Sequence, residues 1–316
     1  MTSNAILMAL VPVFFVLLLG YAAGKFHIVD NLHVDALNAL VMDFALPSSL
    51  FAATASASRH EMMEQVPLFL VLGVTMLLLY LAWYLAARRF SRVSKSEASL
   101  QALTIGFPNL AGVGLPIMTS VVGPTGTVPV AVALAAGSIL ISPLTLIIAE
   151  MGAARAIGEQ MAARQVLTAV RRAITKPVVL APALGILFSL SDVSLGALAH
   201  ASLALIGSSA AGVALFLTGA ILSAQSFRLD WKIAAATMAS DIVRPLLAVA
   251  VMGVFPIAQD AAKTAILLAA VPSGFFGILF AVNYGLDSAR AGSMVIASTA
   301  FSVVTLAVVI ALLFPH

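Results

Sequence analysis

Apolar segments of about twenty residues follow one another along almost the whole chain, with only short polar connections between them. A helix needs a segment of about that length and composition to cross the hydrocarbon core of a bilayer. With 62% hydrophobic and 9% charged residues, the chain cannot cover one soluble core with a polar surface. The sequence therefore predicts an all-α polytopic membrane protein with ten transmembrane helices, at the approximate positions 5–24, 35–56, 66–87, 97–122, 127–149, 174–190, 198–223, 232–254, 261–283 and 288–313.

The longest polar connection divides these segments into two halves of five, residues 1–149 and 174–316, joined by a linker at 150–173. Because each half contains an odd number of segments, the second half enters the membrane from the opposite face if the halves share a fold. We therefore expect two inverted five-helix repeats.

The basic residues indicate how the chain is oriented. Most of the 16 Lys and Arg residues lie in connections that follow odd-numbered segments, which places that side in the cytoplasm and both termini outside. They are Lys25, Arg88, Arg89, Arg92, Lys95, Arg155, Arg164, Arg171, Arg172, Lys176, Arg228, Lys232 and Arg290. This asymmetry accounts for the net positive charge, so the charge does not indicate nucleic-acid binding.

Two of the segments carry a helix-breaking signature near their middle, Phe107-Pro108-Asn109-Leu110-Ala111-Gly112 and Val271-Pro272-Ser273-Gly274. Each proline lies about 11 residues into its segment, or roughly 16 Å, which is close to mid-membrane. Proline removes a backbone donor and glycine eases unwinding, so we expect the fourth and ninth helices to split into half-helices. The alternative is a proline kink in two continuous helices.

Half-helices that begin at these breaks would direct their N-terminal amides at the centre of the membrane. Positive dipole ends and free N–H groups suit a carboxylate. Asn109 and Ser273, each directly after a breaking proline, add side-chain donors at that position. The two breaks together predict a transporter of a small anion.

Three ionisable residues inside the predicted segments are further functional candidates. Arg244 lies roughly 18 Å from the cytoplasmic end of the eighth segment, with Asp241 one helical turn earlier. They form either a structural ion pair or part of an anion-binding or gating device. Asp43, in the second segment, carries a proton, helps to hold a cation, or is a structural carboxylate.

An enzyme is not expected, nor is a metal or other cofactor. The chain has no cysteine and no glycine-rich phosphate loop, and its histidines show no metal-ligand spacing. These histidines are His27, His33, His60, His200 and His316. With these classes set aside, the sequence is consistent with a secondary transporter or a facilitator.

The run Phe107-Pro108-Asn109-Leu110-Ala111-Gly112-Val113-Gly114-Leu115-Pro116 resembles the fourth-helix signature of the auxin efflux carrier family. Further similarities are Ala270-Val271-Pro272-Ser273-Gly274 with Asn283-Tyr284-Gly285, Gly20-Tyr21, and Ala297-Ser298-Thr299. The resemblance implies ten helices in two inverted repeats, a crossing of helices four and nine, a support domain that forms a homodimer, and elevator-type transport. The stretch Val41–Phe51 most resembles the bacterial malonate carrier branch.

The resemblance also implies a set of substrate-binding residues. They are Pro108, Pro272, Asn109, Ser273, Gly112 and Gly274 at the crossing, and Leu46, Pro47 and Ser48 in helix two. We therefore expect a multi-pass carrier of the bacterial inner membrane that transports a small carboxylate, with malonate as the expected substrate, and that has periplasmic termini. A coupled proton or sodium ion would offset the cost of moving a dianion into a negative-inside cell, about 2.3 kcal/mol per charge per 100 mV.

Two other functions fit the same sequence features. One is a cation-coupled carrier or exchanger with bile-acid symporter or antiporter architecture, in which acidic residues hold the ion. The other is a membrane receptor that does not transport.

Overall fold

The described part of the chain is built from helices. The structure, a computed structural model, describes residues 3–156, 168, 171, 175–191, 193, 195–283 and 289–314. Within these residues there is no β-strand, and extended pairing is limited to one isolated bridge between Pro108 and Ser273. The predicted all-α class is confirmed. Most of the predicted 150–173 linker, and Tyr284-Gly285, lie outside the described residues.

The helical segments are labelled in chain order. Their bounds are α1 Ser3–Lys25, α2 Asp35–Ser56, α3 Arg59–Ser91, α4 Lys95–Gly106, α5 Leu110–Val122, α6 Pro124–Ala149, α7 Pro177–Leu190, α8 Ala197–Ala224, α9 Trp231–Met252, α10 Gln259–Ala270, α11 Phe276–Asn283 and α12 Ala289–Leu313. The helix at the end of α6 continues to Ala156.

Seven of these segments, α1, α2, α3, α6, α8, α9 and α12, are long and apolar enough to cross a membrane. The chain is therefore a polytopic membrane protein, as predicted. Segments α4 and α5 together occupy the predicted fourth span, and α10 and α11 occupy the predicted ninth. The total of ten spans and the inverted repeat remain predictions.

The described helices pack in two groups. In the first, α1 packs along the Ala210–Ala224 part of α8, and α7 packs along the Leu46–Ser56 part of α2. The first contact is close, because a Cβ atom on Gly219 would come within 2.0 Å of the Leu17 carbonyl oxygen. In the second group, α3 packs against α4 and α6, while α9 packs against α10 and α12. Of the broken spans, α4 and α10 pack within this second group, whereas α5 also packs against α1 and the Ala210–Ala224 part of α8.

Three π-helical turns within the helices share one sequence signal. They are Leu40–Ala45 in α2, Leu110–Gly114 at the start of α5, and Ala239–Val243 in α9. A proline follows the end of each turn by two residues, at Pro47, Pro116 and Pro245. Because proline has no N–H, the carbonyl four residues before it receives no α-helical hydrogen bond, which favours a widened turn. In α2 and α9 that carbonyl belongs to Asp43 and Asp241.

Candidate functional site

The two predicted breaks meet each other inside the protein. Segment α4 ends at Gly106 and α5 begins at Leu110, while α10 ends at Ala270 and α11 begins at Phe276. Each breaking proline lies in the gap between its two segments. Both spans are therefore interrupted, and neither proline merely kinks a continuous helix. We call the place where the two gaps meet the crossing.

Backbone hydrogen bonds join the two gaps. Pro108 and Ser273 form the antiparallel bridge, in which the Asn109 N–H donates to the Pro272 carbonyl at 2.8 Å. The Gly274 N–H donates to the Phe107 carbonyl at 3.0 Å. In a membrane interior, unwound backbone must find protein partners, and here each break supplies them to the other. The gaps come so close that a Cβ atom on Gly274 would lie 2.4 Å from the Phe107 carbonyl oxygen.

Asn109 caps the half-helix that follows it and keeps one donor free. Its Oδ1 accepts the N–H of Gly112 at 3.0 Å, which fixes this side chain as the N-cap of α5. Its Nδ2 is buried and has no hydrogen-bond partner. This cap requires glycine at position 112. A Cβ atom there would lie 2.7 Å from both Asn109 Oδ1 and the Thr218 hydroxyl oxygen of α8, which is too close.

Ser273 provides a second free polar group on the other break. Its backbone N–H donates to the hydroxyl oxygen of Ser298 in α12 at 2.8 Å, whereas its own Oγ is buried without a partner. A buried polar group left unpaired costs about 1–3 kcal/mol. Two such groups at one crossing, Asn109 Nδ2 and Ser273 Oγ, indicate a binding site for an acceptor ligand.

Arg244 binds the carbonyl ends of both half-helices that precede the breaks. It is fully buried, and its Nε donates to the Ala269 carbonyl at 2.8 Å. One terminal nitrogen donates to the Ile105 carbonyl at 2.6 Å, and the other donates to the Val271 carbonyl. Helix C-termini carry unsatisfied carbonyls and a partial negative charge, so a guanidinium fork is suited to hold two of them together.

Asp241 takes its hydrogen bonds from serines. Its Oδ1 accepts the hydroxyls of Ser240 at 2.7 Å and Ser298 at 2.6 Å, and its Oδ2 is buried without a partner. Within the described residues no ion pair of 4.0 Å or less joins Asp241 to Arg244. The structural ion pair considered for these residues is not observed.

The predicted helix-two residues make no side-chain hydrogen bond to the crossing among the described residues. Leu46 and Pro47 are buried, and Ser48 is half-buried. Asp43 is exposed and lines a cavity of about 320 Å³ with Asn38 and Lys176. This cavity, which we call the vestibule, extends to Phe276 at the start of α11.

A larger cavity, of about 780 Å³, lies at the opposite end of α2. It is lined by Ser56 and Ala57, by the end of α5 at Val122, and by acidic groups that include Glu61 and Asp260. The vestibule is lined instead by the beginning of α2, so the two cavities open toward opposite ends of the bundle.

Comparison with known proteins shows the family of this chain. The chain matches the family described as membrane transport protein over residues 5–310. It is 28% identical over 278 residues to the uncharacterized transporter YfdV of Escherichia coli strain K12, a match that covers 88% of each chain. The same values hold for YfdV of Escherichia coli O157:H7 and of Shigella flexneri. This chain therefore belongs to the membrane transport protein family, the auxin efflux carrier family that its fourth-helix signature resembles.

Proposed function

We propose that this protein is a secondary transporter of a small carboxylate anion and that malonate is its substrate. The observation that carries the proposal is the pair of buried, unpartnered groups at the crossing, Asn109 Nδ2 and Ser273 Oγ. The Nδ2 group can donate two hydrogen bonds and the Ser273 hydroxyl one, each to a carboxylate oxygen. The segments that begin beside them, α5 and α11, present N-terminal dipole ends that favour negative charge.

The two cavities support alternating access to this site. The vestibule contacts α11 at Phe276, three residues beyond Ser273, and its lining includes the basic Lys176. By the charge asymmetry of the loops it opens to the cytoplasm, and the 780 Å³ cavity opens to the periplasm. A site between two such cavities can be exposed to each side in turn.

We place the motion at the boundary between the two helix groups. In this elevator scheme α1, α2, α7 and α8 form a support that also mediates a homodimer, and the group that holds the crossing moves against it. The bonds from Arg244 to Ile105 and Ala269 favour movement of the crossing as one unit, because they join α4 to α10. The protein would lie in the bacterial inner membrane with both termini in the periplasm and would use a proton or a sodium ion for coupling.

Uptake of radiolabelled malonate into proteoliposomes tests the substrate. Unlabelled monocarboxylates, dicarboxylates and aromatic carboxylates serve as competitors, under imposed proton or sodium gradients. We expect competition by short dicarboxylates only. Competition by a different anion class would replace malonate as substrate, and absence of uptake for every anion would favour a receptor.

The site itself is tested by removing one hydroxyl. Ser273→Ala deletes the unpartnered Oγ and leaves the backbone N–H that binds Ser298. Ser302→Ala is the matched control, because this buried hydroxyl donates to the Thr299 carbonyl within α12. We expect malonate affinity to fall roughly tenfold for Ser273→Ala only, the loss of one hydrogen bond to a charged ligand. Equal affinities in both variants would exclude Ser273 Oγ as a ligand.

A further inference from the structure

The two oxygens of Asp241 have different surroundings. Oδ1 accepts two hydroxyl hydrogen bonds, from Ser240 and Ser298, at 2.7 and 2.6 Å. Oδ2 has none, although the residue is only 2% exposed. An ionised carboxylate with one bare oxygen is costly away from water, whereas a proton on that oxygen would remove the charge.

The residues around this carboxyl group are mainly apolar. Asp241 lines a cavity of about 400 Å³ between α9, α10 and α12, whose other lining residues include Leu246 and Ile266. Thr305 is the polar residue that α12 contributes to this lining, and neither α10 nor α12 contributes a charged one. Arg244 lies three residues further along the same helix, but within the described part of the chain no ion pair of 4.0 Å or less joins it to Asp241. The guanidinium of Arg244 is bound to backbone carbonyls.

These surroundings favour a proton over a sodium ion. A bound sodium ion needs several oxygen ligands. The hydroxyls of Ser240 and Ser298 already donate to Oδ1, and the cavity lining that Asp241 shares adds one further hydroxyl, that of Thr305. A proton needs only the free oxygen itself.

Ser298 connects this carboxyl group to the crossing. Its hydroxyl oxygen accepts the backbone N–H of Ser273, and its own O–H donates to Asp241. Two consecutive hydrogen bonds thus separate the carboxylate from the residue whose free Oγ belongs to the proposed anion site. A charge on Asp241 is close enough to act on an anion bound there.

We propose that Asp241 binds the proton that is cotransported with the anion, and that Ser298 links its protonation to the crossing. The inference rests on the proposed carboxylate transport. An ionised Asp241 repels an anion at the crossing, and protonation removes that repulsion. Proton and anion therefore favour each other's binding, and the coupling is reciprocal.

Transport by Asp241→Asn, which mimics the protonated side chain, tests the inference. In proteoliposomes we expect wild-type protein to accumulate malonate when an inward proton gradient is imposed. The variant should still exchange internal for external malonate but should no longer respond to the gradient. Asp230→Asn is the matched control, because this exposed residue caps the same helix through the Ile233 N–H and asparagine caps equally well. Gradient-driven accumulation by Asp241→Asn would overturn the inference.

The link through Ser298 has its own readout. Malonate affinity of the wild type should fall roughly tenfold as Asp241 ionises, a typical size for coupling between two sites. In Asp241→Asn the affinity should follow only the titration of malonate itself. Ser298→Ala should reduce the pH effect that remains after that correction, and Ser298→Thr should restore it. An unchanged pH effect in Ser298→Ala would remove Ser298 from the coupling.

Infrared difference spectroscopy tests the proton site without transport. In the wild type the C=O stretching band of a protonated carboxyl group should disappear as the pH rises, and that band should be missing in Asp241→Asn. The same band in both proteins would show that the proton lies elsewhere. If the wild type transports no malonate, the proposed substrate fails, while the spectrum still decides whether Asp241 binds a proton.

Discussion

The substitution Arg244→Gln tests how strongly one guanidinium holds the two broken spans together. Arg244 donates three hydrogen bonds, to Ile105, Ala269 and Val271. Glutamine can keep one of them. Hydrogen bonds to charged groups contribute about 1.5–3 kcal/mol each, and the desolvation cost of the buried charge offsets part of this. We therefore expect the free energy of unfolding to fall by about 3 kcal/mol.

Thermal unfolding of the purified protein in detergent measures this loss. A change of about 3 kcal/mol in a chain of this size lowers the unfolding midpoint by roughly 5–10 °C. Arg228→Gln, at an exposed position outside α9, is the control. Arg244→Lys should lie between the two, because an ammonium group cannot span both helix ends as a planar fork does.

The reasoning is refuted if Arg244→Gln unfolds within about 2 °C of Arg228→Gln. A variant of normal stability that has lost malonate binding would place Arg244 in contact with the substrate instead. That outcome would also change the interpretation of the three carbonyl bonds.

Two further substitutions test other contacts at the crossing. Asn109→Asp keeps the oxygen that caps Gly112 but replaces the free Nδ2 donor with a second carboxyl oxygen, so malonate transport should fall at least tenfold; the unfolding midpoint should fall as well, because an unpaired carboxylate is costly at this buried position. Retained transport would show that Nδ2 does not bind substrate. Gly274→Ala should lower the unfolding midpoint by several degrees because its Cβ would lie 2.4 Å from the Phe107 carbonyl oxygen, whereas Gly212→Ala, with nothing within 4 Å, should not. Equal unfolding midpoints for Gly274→Ala and Gly212→Ala would mean that the two gaps can move apart without loss of stability.

The interruption of both spans could be predicted because proline acts locally. Pro108 and Pro272 remove backbone donors whatever the rest of the chain does, and each lies in a gap of the structure. Segment α7 has a local explanation of the same kind: Pro177 and Pro182 are close to its start, and it has only 14 residues. Predictions of this kind need only neighbouring residues.

The partners of Arg244 and Asp241 could not be predicted in the same way. Arg244 binds the Ile105 carbonyl, which is 139 positions away, and Ser298 reaches Asp241 across 57 positions. Backbone carbonyls leave no sequence signal, since every residue has one. In the sequence, Ser298 stands out only through the family resemblance of Ala297-Ser298-Thr299, which does not mark it as a site residue.

Two of the π-helical turns have a local sequence signal, which a count of α-helical periodicity does not detect. Asp43 and Asp241 each precede a proline by four residues, so the acidic group and the widened turn occur together. The spacing Asp-x-x-x-Pro therefore marks both turns. Regular α-helical periodicity places Asp241 and Arg244 one turn apart and so predicts an ion pair, which the described part of the structure, with its widened turn, does not contain.

The widened turn of α9 also changes how this helix responds to insertions and deletions. Loss of one residue from a regular α-helix rotates everything beyond it by about 100°. A π-helical turn already contains one residue more than the α-helical ladder requires, so the Ala239–Val243 turn can lose that residue while Trp231–Met238 and Arg244–Met252 keep their faces. The number of residues in this turn can therefore change without rotating the helix on either side of it. Related chains of different length can align at this turn and keep the same side chains on the membrane-facing surface.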